Sequence, residues 1–476
     1  MLSGATGHRI SLFMKGATVS GRIAATVLLL IQVAATSARA DTMEAALTRA
    51  YQSNPQLNAQ RASVRATDEN VPQALSGYRP KVAVTASGGG QYSSQLVNSS
   101  LGQKIEEGPQ GPHAVGLTAT QTLFNGNQTA NKTRAAESQV FGAREALRLL
   151  EQSVLLAAAT IYMDYLRDAA ILEVQRSNTR VLEQTLKQTR DRYSVGIVTP
   201  TDVAQSEAQL AAGQTQELAA EANLNTTRAN FRRIIGNEPS QLAPASPVDR
   251  FLPETLRDAV NIALVENPNV TSAMYGIDVG FLNVKVNEGA LFPTVSVQAT
   301  VQKTWQQTIT QISQFTASAI AQVNVPIYLG GAEYSLIRQS KETLAQQRLT
   351  LEQVRDQARA DLVSAWGQLV ASKSQVSSSQ SQVEASEIAL NGVRQEATVG
   401  QRTTLDVLNQ QQALVNARLA LVTAQHDRVV ASYTVLSTMG RLSPQVLRLP
   451  TPVHDPSVHY HQVRDSWAGV RIPDGR

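Results

Sequence analysis

The 476-residue sequence has no cysteine, so its stability rests on no disulfide bridge, and a lipid anchor on an N-terminal cysteine is excluded. Its net charge is only +4, with both signs mixed along the chain, and aromatic residues make up 5%. Neither a basic tract nor an aromatic platform is there to bind nucleic acid. No Ser-His-Asp, His-Glu-x-x-His or phosphate-loop pattern occurs, so the chain reads as a non-enzyme with no cofactor. Beyond the N-terminal region no run of about 18 apolar residues offers a membrane helix, and entry into a membrane would have to be as strands.

What is there begins with Arg9, Lys15 and Arg22 ahead of "IAATVLLLIQVAA", followed by "ARA" at 38–40. A basic, an apolar and a small-x-small region in that order read as a secretory signal over 1–40, with a mature chain from Asp41. Met14, as an alternative start to Met1, would give a signal of more usual proportions.

The rest is written twice. "TMEAALTRAYQSNPQL" from Thr42 matches "TLRDAVNIALVENPNV" from Thr255, an offset of 213 that also pairs Pro80 with Pro293. Further along the offset is 204, pairing Gly126 with Gly330, Tyr162 with Trp366, Gly196 with Gly400, Asp202 with Asp406 and Gly236 with Gly440. The change of offset confines the length difference to one region per copy. The expected division is repeat one over 41–240, a linker over 241–254, repeat two over 255–442 and an irregular tail over 443–476.

The region of variable length has a different period from its surroundings. In "VSVQATVQ", Val295, Val297, Ala299 and Val301 alternate with polar residues, and "FTASAIAQVNVPI" from Phe315 does the same. "KVAVTAS" from Lys81 and "HAVGLTATQTLF" from His113 repeat the pattern in the first copy, joined by a Gly-, Ser- and Asn-rich stretch. Period two predicts a β-hairpin in each copy, over about 81–124 and about 294–328, hence four strands per chain. An apolar outside and a hydrophilic inside suit a lipid-facing barrel. Four strands cannot close one, because lipid tolerates no open sheet edge; three chains would supply twelve.

Long helices flank the hairpins. Residues 127–194 contain no proline and one glycine, and the matching run 333–399 is broken only by Gly367 and Gly392. At about 1.5 Å per residue each would be roughly 100 Å long, beyond any globular helix. Leu362, Leu369, Val376, Val383 and Leu390 recur every seven residues, with Ala365, Ser372, Ser379 and Ser386 in the companion positions. Such a seam is thin and coiled-coil-like. Returning helices with heptad spacing at Leu408, Val415, Val422, Val429 and Leu436 would be half as long. Amphipathic segments over 42–76 and 255–289 would fill the remaining half, giving four helical columns per chain.

Between outgoing and returning helices lie "VGIVTPTDV" (Val195–Val203) and "VGQRTTLDV" (Val399–Val407), with tip turns over about 195–201 and 399–404. Gly196 and Gly400 allow a positive-φ turn; Thr201 or Asp202, and Thr404 or Asp406, are candidate caps of the returning helix.

"RYSVGIVTPTDV", "EATVGQRTTLDVLNQQQALVNARLAL", the paired Asn-Pro, and "LFNG" and "YLGG" after the hairpins resemble the TolC family of outer-membrane channel-tunnels. The resemblance covers the mature chain to about Leu442. It implies an α+β trimer in which a 12-stranded outer-membrane barrel continues into a periplasmic helical tunnel. It also implies partners: a periplasmic adaptor (membrane fusion) protein meeting the tip at Val195, Gly196, Val399 and Gly400, and an inner-membrane pump of RND or ABC type. By the same resemblance Arg402 matches an arginine that ties neighbouring hairpins, with Thr201 and Asp202 as its partners, and Asp406 matches an aspartate of a constriction ring. Arg-carboxylate links would hold the tip closed, and an acidic ring would attract cations. Two positions depart: Ala397 stands where a gate tyrosine is expected, although Tyr193 occupies the place in copy one, and Asn409 replaces the second ring aspartate. A looser latch and a weaker cation block follow.

After Leu442 periodicity stops. His454, His459 and His461 lack supporting carboxylate spacing for a metal, and none is expected. Drug efflux and type I protein secretion both fit the duct. A trimeric, membrane-anchored structural or adhesive coiled coil is the alternative, but its strands should lie at the end of one uninterrupted stalk, not inside each repeat.

Overall fold

The computed structural model describes residues 41–99, 102–309 and 312–473; the signal sequence lies outside the described residues. Helices α1 (Met43–Ser53), α2 (Pro55–Asp68) and α3 (Asn70–Leu75) lead into strands β1 (Lys81–Gly88), β2 (Gln91–Ser99), β3 (Gly102–Gln110) and β4 (His113–Asn125). Helices α4 (Gln128–Ser194) and α5 (Pro200–Ile235) complete the first repeat. The second runs α6 (Leu256–Glu266), α7 (Pro268–Gly289), β5 (Thr294–Trp305), β6 (Ser313–Asn324), α8 (Ala332–Thr398) and α9 (Thr404–Thr438), and α10 (Ser457–Val463) follows.

Helices α4 and α8 each have 67 residues, about 100 Å of rise. Along α8 the predicted seam is the buried one: Leu362, Leu369, Val383 and Leu390 are buried with Ala365, Ser372 and Ser379, and in α9 Leu408, Val415, Val429 and Leu436 are buried. One window of α4 reaches a mean hydropathy of 1.2, long and apolar enough to cross a membrane, contrary to the expectation that no such segment exists; half of it is buried inside this chain. Its Leu155, Ala158, Ala159 and Tyr162 join Leu47, Tyr51, Leu57 and Phe231 in the main hydrophobic core.

The columns are completed as expected, with breaks that the amphipathic pattern did not reveal. Pro55 and Pro268 cannot continue a preceding helix, so the chain restarts at each, with Asn54 accepting from Gln56 and Leu57, and Asn267 from Asn269. The ends of α5 and α9 meet these junctions. Gly440 is at φ +84°, and a Cβ there would lie 2.5 Å from the Glu266 carbonyl oxygen; glycine alone permits that approach. Arg441 donates to both carboxylate oxygens of Glu266 at 2.7 and 2.6 Å, and Asn267 donates to the Thr438 carbonyl at 2.9 Å. At the matching point of the first repeat a Cβ on Gly236, at φ +97°, would meet the Ser53 hydroxyl at 3.2 Å.

The sheet order is β1-β4-β5-β6, all antiparallel, with β1 and β6 at its edges. Register aligns the period-two pattern across all four strands: Val84 pairs Leu117, Leu117 pairs Val301, and Val301 pairs Ala317. Directly paired residues share a face, so Val82, Val84, Val115, Leu117, Ala299, Val301, Ala319 and Val323 form one apolar surface, and Thr118, Thr300, Gln302 and Ser318 the opposite polar one. The stretch expected as a joining segment instead pairs as β2 and β3 in a separate ladder, Leu96 facing Ile105. Its alternation is too polar to stand out, and pairing is enforced by the hairpin below it.

The tail holds a short helix where no periodicity predicts one. His459 Nδ1 lies 2.9 Å from Asp68 Oδ2, with both residues buried. Tyr460 packs beside Val71, Ala136 and Val140, and the Arg144 guanidinium stacks over its ring at 5.2 Å. The three tail histidines are engaged separately: His454 N–H donates to the Tyr51 hydroxyl, and His461 meets the Tyr460 ring edge-on.

Candidate functional site at the helical tips

Both tip turns are built from the same backbone device. In the first, α4 ends at Ser194, Val195 follows, and Gly196 takes φ +77°. Gly196 N–H donates to the Tyr193 carbonyl at 2.9 Å and Ile197 N–H to the Arg192 carbonyl at 3.0 Å, the paired bonds that close a helix through a left-handed residue. In the second, Gly400 is at φ +81° and Gln401 N–H donates to the Glu396 carbonyl at 3.0 Å.

The returning helices start with reciprocal caps, one residue or more earlier than expected. Thr199 is the N-cap of α5 and Pro200 its first residue; Thr403 is the N-cap of α9. Thr201 and Thr404 lie inside the first turn. Asp202 and Asp406 instead take the third helical position, where each carboxylate reaches back to the threonine N–H, at 2.8 Å for Thr199 and 2.9 Å for Thr403. Each aspartate N–H in turn donates to the threonine hydroxyl. Two otherwise unpaired donors are satisfied at each helix start.

These bonds set the charges. The hydroxyl and then the backbone N–H of Thr199 hold Asp202 below the usual carboxylate range. Asp406 is lowered by the backbone N–H of Thr403, then its hydroxyl, with Arg402 assisting. Arg402 Nε donates to Glu396 at 2.8 Å, and that bond pushes the guanidinium above its ordinary value. Both aspartates and the arginine are therefore ionised at any neutral pH.

The two turns face one another across a cleft of about 690 Å³ whose lining includes Arg192, Thr199, Asp202, Arg394, Arg402 and Thr403. Arg402 and Asp202 thus share one space within a single chain, with Ala397 also on its wall. Thr201, Asn409 and Tyr193 are exposed, Tyr193 to 48%. Val195, Ile197 and Val399 stand 69%, 70% and 71% exposed at the tip, an apolar group pushed into solvent by the turns.

Several participants carry no sequence signal of their own. Glu396 is one, an acidic residue in a helix rich in them. Another is a polar network at mid-height: His426 lies 3.0 Å from Asp164 and 2.9 Å from Asp427, Arg167 bridges Asp164 and Asp168, and Thr227 donates to Asp168 at 2.6 Å. Burial opposes the His426 proton, but the hydrogen bonds to Asp164 and Asp427 outweigh it and raise its pKa. Its members come from α4, α5 and α9, which meet only in three dimensions.

Comparison with known proteins gives concordant results. The family profile described as "Outer membrane efflux protein" matches residues 46–237 and 259–441, once per repeat. Outer membrane efflux protein BepC of Brucella suis is 40% identical over 441 residues, covering 92% of this chain and 94% of that one. Alkaline protease secretion protein AprF of Pseudomonas aeruginosa is 22% identical over 360 residues, 74% of each chain. Among solved structures, the Campylobacter jejuni CmeC outer membrane channel superposes with a TM-score of 0.75 at 15% identity, over 89% of both chains.

Proposed function

This chain belongs to the outer membrane efflux protein family, and from that premise we propose that it is the exit duct through which small toxic compounds leave the cell. Channels of this family are trimeric, non-enzymatic ducts of tripartite systems, set in the outer membrane and extending into the periplasm. Efflux is favoured over protein secretion because the 40% identity is to an efflux protein, against 22% to a secretion protein.

In our reading residues 1–40 are removed on export and the two repeats over 41–240 and 255–442 each supply one hairpin and one tip turn. The outer edges of β1 and β6 would pair between chains to close twelve strands. A periplasmic adaptor would seat on Val195, Ile197 and Val399 around Gly196 and Gly400, linking the duct to an inner-membrane pump of RND or ABC type. The observation that carries the gate is the tip cleft, which Arg402 and Asp202 both line at the end of the helices remote from the sheet. Arg402 is the latch, with Glu396 in its own hairpin and Thr201, Asp202 and Tyr193 of the facing hairpin as its surroundings. Asp406 is the acidic ring, and Asn409, one turn on, leaves that ring with a single carboxylate per chain.

Single-channel recording in planar bilayers, wild type beside Arg402→Ser, tests this. Small cation-selective currents that grow in the variant are expected. Inserted trimers that do not conduct would overturn the duct, and equal currents would overturn the latch.

A further inference from the structure

The tail beyond α10 climbs to the foot of the barrel. Arg79, two residues before β1, donates to the Ser466 carbonyl at 2.5 Å and stacks its guanidinium 4.8 Å from the centre of the Trp467 ring. Past this contact Trp467, Val470 and Ile472 are exposed to 72%, 103% and 80%. They stand at a level already marked by other exposed aromatics. Tyr78, Phe124, Phe292 and Tyr328 lie within four residues of the ends of β1, β4, β5 and β6. Aromatic residues gather where a transmembrane barrel crosses the lipid headgroups. The foot of this sheet is therefore the periplasmic headgroup level, and Trp467 is held in it.

We propose that residues 466–473 lie along the periplasm-facing phospholipid leaflet as an interfacial anchor. Trp467 rests at headgroup depth, Val470 and Ile472 enter the acyl boundary, and Arg79 and Arg471 meet the lipid phosphates. The composition fits a lipid surface: "WAGVRIP" alternates apolar side chains with one cation and no acid, and arginine can place its stem in the apolar layer with its charge at the headgroups. Indole prefers that boundary, where its ring is shielded and its N–H remains wet. In a chain with no cysteine to carry a lipid, the tail supplies an attachment outside the barrel.

The absence of cysteine makes the test direct, since Val470→Cys introduces a single thiol for a nitroxide spin label. Labelled full-length trimers, their assembly checked by resistance to SDS, are placed in phosphatidylethanolamine–phosphatidylglycerol vesicles. Collision with oxygen, which concentrates in lipid, is compared with collision with a water-soluble nickel chelate. Val82→Cys, on the apolar face of β1, is the lipid reference. A label at 470 with oxygen collisions exceeding nickel collisions by about twofold or more supports the anchor, because the acyl boundary favours the apolar quencher. Excess nickel collision places the tail in water and overturns it. Low access to both reagents places it against a neighbouring chain and overturns it equally. Should Val82→Cys itself read as aqueous, the barrel assignment fails and this proposal falls with it.

Discussion

At the tip, the first repeat has Ile197, Val198 and Pro200 where the second has Gln401, Arg402 and Thr404; at the waist it has Ser53 and Asn237 where the second has Glu266 and Arg441. The backbone is the same at all four places: a left-handed glycine closes each helix end, at φ +77°, +97°, +81° and +84°. What differs is the fastening. Helix α9 is fastened by Arg402 with Glu396 and by Arg441 with Glu266; the matching positions around α5 hold Val198 with Arg192 and Asn237 with Ser53, and its own end pairs lie elsewhere, Arg190 with Glu207 and Arg232 with Glu238. Turn geometry is thus common to the duplicated unit, whereas the ion pairs are placed differently in its two copies.

The comparison can be broken most sharply at the waist glycines. Gly440→Ala should destabilise by about 3 kcal/mol, combining the left-handed backbone with a clash against a carbonyl that cannot move aside. Gly236→Ala should cost about 1 kcal/mol, since its neighbour is a rotatable serine hydroxyl. Thermal melting of the two purified trimers would separate them, and equal losses would show that the Glu266 approach is looser than described.

The next largest difference is the waist ion pair. Arg441→Ala should cost about 1 kcal/mol, a modest value because both partners are over a third exposed, and Asn237→Ala should cost less. Hydrogen bonding to Arg441 holds Glu266 below the ordinary glutamate range. The stability it contributes is therefore complete above that range and is lost as pH falls through the lowered folded value. The wild type should lose more stability on acidification than Arg441→Ala, measured by melting across an acidic pH series.

Capping should instead sharpen the likeness. Thr199→Ala and Thr403→Ala should each cost about 1 kcal/mol, and nearly equally, because both remove the same hydroxyl bonds and leave the backbone N–H to its aspartate. The smallest effect is expected from Glu396→Gln: the amide oxygen can still accept from Arg402, so single-channel currents should rise less than in Arg402→Ser. A larger rise would make Glu396, not Arg402, the residue that keeps the tip narrow.

The heptads and the alternating strands were legible because each is a local spacing with one buried face, and the register of β4 on β5 bears out the face assignment. The tip turns were legible because they occur twice. Sequence placed the caps late, at Thr201 or Asp202 and at Thr404 or Asp406, since Thr, Pro and Asp crowd the turn and only backbone angles distinguish N-cap from first turn. Partnerships such as His459 with Asp68, or His426 with Asp164, join residues hundreds of positions apart, and no spacing rule reaches across them. The resemblance points to Arg402, while its hydrogen-bond partner Glu396, six residues earlier on the other side of the turn, is given no role by it.

The half-length returning helix has a mechanical consequence. Helix α9 has 35 residues, a rod of about 50 Å, fixed at its base by Gly440 and the Arg441–Glu266 pair and coupled along its tip half to α8, where Gln411 accepts from Arg394 and Arg418 donates to Glu387. A pivot of about 5° at that base carries the far end through about 4 to 5 Å, on the order of one helical turn. The tip half of α8 and α9 moves together as a lever with its fulcrum at the waist, so the largest displacement falls at the tip turns and the smallest at the glycine.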